Sequence, residues 1–133
     1  MEYVTTASTG NGTDFGNLLA NNGGCGHGMV CNSTRGVFGG GQESGSLYNV
    51  IQYITIQSTG NSTDFGDLTS ARFAPGSACN STRGVFAGGE VPSLVNTIDY
   101  ITIASTGNAA DFGDLTLTVA RHGGNSNGHG GLS

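Results

Sequence analysis

The sequence predicts an all-β protein made of about three copies of one antiparallel β-sheet unit. Internal repetition is the first reason. The hexapeptide STRGVF occurs at Ser33–Phe38 and again at Ser81–Phe86. The string STG-N occurs at Ser8–Asn11, Ser58–Asn61 and Ser105–Asn108, and DFG follows each time, starting at Asp14, Asp64 and Asp111. Spacing is the second reason: Tyr3, Tyr53 and Tyr100 precede these strings at offsets of 50 and 47. Such a period is typical of solenoids and propellers, whose units bury their apolar faces only by stacking. Composition is the third: 25 glycines punctuate short runs such as YITI and GVF, without the every-third register of collagen.

Each element follows from local chemistry. RGVF reads as a short strand, and the Gly-Gly behind it suits a turn that needs positive φ. A variable stretch rich in Gly, Ser and Pro comes next. IQYITI and IDYITI are β-branched and aromatic and are bounded by Gly and Ser, as strands are. Ile51 and Tyr53 point to one face, Ile54 and Ile56 to the other, which predicts a middle strand covered on both sides. TDFGDL is expected to form at most one turn, and DLTSAR and DLTLTVAR suggest a third strand. No stretch has helical periodicity.

Met1 aligns with Ile51 and Ile98, so the first unit starts inside its Tyr strand. The terminal SNGHGGLS aligns with CNSTRGVF, Asn127 falling under Asn80 and Leu132 under Val85. The expected organisation is one repeat domain over residues 1–133, with repeats at about 1–30 (partial), 31–78 and 79–133. Open sheet edges predict a homo-oligomer, the decayed copy GHGGLS marking where a partner completes the sheet. A two-fold dimer closing a six-bladed ring is one solution and a three-fold trimer another; a three-sheet prism around a pseudo-threefold axis would instead suit a monomer.

Charge narrows the function. The chain has no lysine, four Lys+Arg against nine Asp+Glu, a net charge of −5 and a pI near 4.7. A phosphate-backbone binder needs a basic stripe, and anionic membrane attracts basic segments, so neither nucleic acid nor membrane is expected as a partner. MEYVTTASTG has neither the basic start nor the apolar stretch of a secretory signal. Three cysteines, Cys25, Cys31 and Cys79, argue against a disulfide framework.

A strand ending in Gly-Gly, a variable loop and a Tyr-containing strand, in a unit near 50 residues, resemble a kelch-type β-propeller blade. The wording RGVFAGG…NTIDYITIASTGNAADFGDLT…AR is similar to kelch-like repeat proteins of aquatic viruses, notably cyanophages, and covers nearly the whole chain. The resemblance implies a partial propeller completed by oligomerisation, a virion or tail-fibre role, and a protein made in the host cytoplasm and carried on an extracellular particle. The chain departs from cellular kelch repeats in having no tryptophan, and it holds fewer blades than the four to eight typical of propellers.

The candidate residues read as structural. Arg35 and Arg83 are repeat equivalents, and the AR dipeptides make Arg72 and Arg121 another pair, with Asn22 in the first-unit place. Repeated positions do not suit the single asymmetric constellation of a reaction centre. Their expected partners are Asp64, Asp67, Asp111 and Asp114, with Asp14 in the first unit. The DFG carboxylates are expected to accept backbone N–H groups, with Phe15, Phe65 and Phe112 packed beneath. NSTDFGD offers about three oxygens per unit, fewer than a calcium loop uses. Cys31 and Cys79 align with Ser126 and read as small fillers; Cys25, His27 and Cys31 match no strong zinc spacing. His122 and His129 read as part of a solvated tail, and the Asn-Gly-Thr and Asn-Ser-Thr sequons as by-products of repeated turns.

The expected function is therefore non-enzymatic: a viral structural or interaction protein, a fibre or particle-surface module, partnered by its own copies or other virion proteins. No metal and no cofactor are expected. The alternative is a glycan-binding module in which the variable loops present Glu43, Tyr48 and Glu90 to surface sugars.

Overall fold

The computed structural model describes residues 1–19 and 28–126. It is all-β with antiparallel pairing throughout. The first repeat contributes a two-stranded ribbon, β1 (Glu2–Tyr3) and β2 (Thr13–Asp14). The second forms a four-stranded sheet from β3 (Gly28–Cys31), β4 (Arg35–Glu43), β5 (Ser46–Thr55) and β6 (Thr63–Asp67), paired in chain order. In the third, β7 (Gly76–Cys79), β8 (Arg83–Ala87), β11 (Thr97–Thr102) and β12 (Ala110–Asp114) pair likewise. Between β8 and β11 a small ribbon, β9 (Glu90–Val91) and β10 (Ser93–Leu94), replaces the long hairpin of the second sheet.

Local chemistry explains the turns. Asn32 Oδ1 accepts from Thr34 N and Arg35 N at 2.9 and 2.8 Å, and Asn80 Oδ1 from Thr82 N and Arg83 N at 2.9 and 2.7 Å. The side chain thus imitates a backbone turn and joins β3 to β4 and β7 to β8. The β4–β5 hairpin turns on Ser44 and Gly45 at φ 50° and 87°, the paired positive φ of a two-residue type I′ turn.

The Tyr strands β5 and β11 are middle strands as expected, with Ile51 and Gln52 both buried on opposite faces. RGVF forms β4 and β8 as expected. Two expectations are corrected. The outer strand is TDFGD, not DLTSAR, and the first strand of each sheet, GMVC or GSAC, went unpredicted. DFG enters the ladder through a bulge: Ile51 faces Gly66 and Gln52 faces Asp64, leaving Phe65 as the extra residue. Phe112 is the extra residue between Gly113 and Asp111. Gly66 and Gly113, at φ 144° and 134°, permit it. A glycine inside a strand reads as a turn from sequence because it weakens strands elsewhere.

The sheets stack face to face with a register of one repeat. Ser77 Oγ donates to Met29 O at 2.9 Å, and Cys31 N donates to Cys79 Sγ at 3.4 Å. Ser126 Oγ donates to Cys79 O at 2.6 Å, so the chain at 123–126 continues the same stack beyond β7. Val30 lies where a Cβ on Gly84 would be, and the Phe86 ring fills the space left by Gly28 and Gly39. The core is Val30, Val37, Ile51, Phe65, Leu68, Phe86, Ile101 and Ile103, drawn from both full sheets.

Candidate functional site

The STG-N and DFG strings singled out in the sequence meet at the joints between consecutive repeats. At the first joint, Gly60 N donates to Phe15 O at 2.7 Å, Ser62 N to Asn17 O at 2.9 Å, and Asn17 N to Asn61 Oδ1 at 2.9 Å. At the second, Gly107 N donates to Phe65 O at 2.7 Å, Ala109 N to Asp67 O at 2.8 Å, and Asp67 N to Asn108 Oδ1 at 3.1 Å. The same three bonds recur. The STG-N loop of one repeat clasps the DFG bulge of the repeat before it. Glycine is required at the bulge: a Cβ on Gly16 or Gly66 would collide with the carbonyl of Gly60 or Gly107.

A polar residue before each tyrosine completes the joint. Gln52 Oε1 accepts from Leu19 N at 2.9 Å and from Ser62 Oγ at 2.6 Å. Its equivalent Asp99 accepts from Thr69 N at 3.0 Å and Thr69 Oγ1 at 2.7 Å. Asp99 also pairs with Arg72 Nη2 at 2.9 Å, both side chains being fully buried. Burial lowers the Arg72 guanidinium below its ordinary range, and the Asp99 carboxylate opposes that shift. Arg72 Nη2 also donates to Phe86 O at 3.3 Å. Composition ranks Gln52 and Asp99 as ordinary polar residues. Their signal was positional: with Glu2 they fill one slot, immediately before Tyr3, Tyr53 and Tyr100.

The expected pairing of arginines with the DFG-region acids is corrected. Arg72 reaches Asp99, and Arg121, largely exposed, reaches Glu90 at 3.1 Å. Arg35 and Arg83 lie over the Tyr53 and Tyr100 rings at 4.6 and 4.5 Å. The cations face tyrosine because the bulge turns the DFG carboxylates back on their own backbone. Asp14 Oδ1 accepts from Gly16 N at 3.1 Å and Asp111 Oδ1 from Gly113 N at 3.2 Å, as the capping reading expected; Asp64 lies exposed at the same place in β6. Each tyrosine meets its DFG phenylalanine edge to face, Tyr3 with Phe15, Tyr53 with Phe65 and Tyr100 with Phe112.

Arg72 and Arg121 are also not equivalents. Gly41 N donates to Arg72 O at 2.9 Å and Gly89 N to Val119 O at 2.8 Å, so Val119 stands in the Arg72 place. The two extra residues of DLTLTVAR shift the AR dipeptide out of register.

The variable-loop residues are dispersed. Glu43 and Tyr48 share the β4–β5 hairpin; Glu90 lies on β9 with its carboxylate held by Arg121. His122 is not solvated as expected but packs, half-buried, in the space beside Gly76 and Gly88. Burial raises the Cys31 thiol above its ordinary value, and Cys79 adds to the shift. Cys25, His27, Asn22, His129 and the GHGGLS copy lie outside the described residues. A cleft of about 750 Å³ opens between the β1–β2 ribbon and the second sheet, lined by Phe15, Met29, Phe38, Ile54 and Ile56 among others. It lies where the third sheet has its counterparts filled: Ile56 is 44% exposed, Ile103 fully buried.

Comparison with protein-family models and with curated proteins finds no match.

Proposed function

We propose that the chain is a non-enzymatic structural protein that assembles through the edges of its β-repeats, as a fibre or particle-surface module of a virus. The viral half rests on the resemblance of its repeats to kelch-like proteins of aquatic viruses. The non-enzymatic half is supported by one observation: among the described residues the four arginines, with Asp14, Asp99 and Asp111, are engaged between or within repeats. Asp99 and Arg72 hold the second joint, Arg35 and Arg83 cover tyrosines, and two DFG carboxylates accept from their own bulges. Catalysis needs a nucleophile, a base and an orienting group converging on open space, and these side chains converge on one another. The reading is tested by mass measurement across a concentration series with electron micrographs of the same samples. Discrete rings, fibres or larger particles are expected; a monomer at every concentration would overturn it.

A further inference from the structure

Among the described residues the joint that links the repeats is used twice, and each half of it stands open once. On the third repeat, Phe112 O, Asp114 N and Asp114 O hold the positions of Phe65 O, Asp67 N and Asp67 O. Among the described residues, no STG-N loop meets them. Gly113 keeps the positive φ of Gly16 and Gly66, yet where their Cβ would strike a carbonyl, a Cβ on Gly113 meets nothing within 4 Å. On the first repeat, Gly10, Asn11 and Gly12 hold the positions of Gly107, Asn108 and Ala109 and are exposed. Glu2 fills the slot of Gln52 and Asp99, its carboxylate beside Gly12 as Gln52 is beside Ser62.

The apolar surfaces match in the same way. Phe65 and Ile101, each 3% exposed, share the core across the second joint. Their open equivalents are Phe112 at 53% and Val4 at 58%. We propose that the third repeat of one copy docks on the first repeat of a second copy and continues the stack across the contact. Gly10 N donates to Phe112 O, Gly12 N to Asp114 O, and Asp114 N to Asn11 Oδ1; Glu2 accepts from Thr116 as Asp99 does from Thr69. The same docking brings residues 123–126, which extend the stack past β7, to the 750 Å³ cleft of the next copy. There Phe38 meets them as Phe86 meets Gly28. The contact is head-to-tail, so it closes into a ring or runs on as a fibre according to the rotation per copy.

This inference names the partner surface of the assembly proposed above and rests on that reading. The test uses two variants of the whole chain, Val4→Asp to block the head and Phe112→Asp to block the tail. Both positions are exposed, and circular dichroism matching wild type checks the fold. Sedimentation velocity should show each variant alone losing association at least tenfold, and their equimolar mixture forming a one-to-one dimer and nothing larger. Glu2→Gln, which installs the residue of the first joint, should tighten association of the wild-type chain. A Val4→Asp protein that still dimerises alone shows a two-fold contact through the tail and overturns the proposal. Wild-type oligomers unmoved by either variant overturn the joint while leaving assembly standing. A monomeric wild type overturns both.

Discussion

Among single residues, Arg72 and Asp99 stand out as a salt bridge with both side chains fully buried. Two full charges leave water, and the cost is offset by their pairing and by further bonds, Asp99 accepting from Thr69 N and Thr69 Oγ1 and Arg72 donating to Phe86 O. Removing one partner strands the other. Arg72→Ala should therefore cost about 3–5 kcal/mol in urea unfolding. Arg72→Met combined with Asp99→Asn should recover most of that, because Asn keeps an acceptor for Thr69 and Met refills the volume. A double variant no better than Arg72→Ala would show that the ion pair itself carries the stability. The sequence singled out Arg72 through its AR dipeptide, but Asp99 was not visible as its partner. The two are 27 residues apart, on different repeats, and only stacking brings them together.

At the scale of the element, the DFG bulge converts an outer strand into a docking edge. Its glycine has two separable roles, the positive φ and the close approach of the next repeat's carbonyl. Gly66 carries both and Gly113 only the first. Gly66→Ala should thus destabilise the dilute chain by about 1–3 kcal/mol more than Gly113→Ala, the difference being the collision with Gly107 O. Thermal unfolding at low concentration measures it, and equal losses would mean that the joint adjusts at no cost. The Tyr and GVF strands were legible because their β-branched and aromatic runs are bounded by Gly and Ser. The DFG strand was not, because its bulge breaks the alternation and its glycine imitates a turn.

At the scale of the whole molecule, the described repeats form a stack open at both ends rather than a closed body. No hydrogen bond among the described residues joins the first repeat to the third. Phe112 at the third repeat's open face and Val4 at the first's are exposed where their equivalents at the second joint, Phe65 and Ile101, are buried. Any association that covers these ends binds the folded chain and not the unfolded one, so it raises apparent stability by mass action. The melting temperature should climb with protein concentration, and Phe112→Asp should flatten that climb. A midpoint independent of concentration in the wild type would mean that the open faces stay open in solution.

The all-β character, the recurrence of a unit at about 47–50 residues and the register of its STG-N, DFG and Tyr positions are readable in the chain alone. These are local or periodic properties, written in each unit and readable without knowing where the next one lies. Tertiary structure decided the partners. It gave Arg72 to Asp99, placed Val119 in the Arg72 position and turned Gly16 and Gly66 against the neighbouring loop. The physical cause is that Arg72 and Asp99 are buried against a neighbouring repeat, and the two residues inserted before Arg121 change what meets there without disturbing the pattern in the chain.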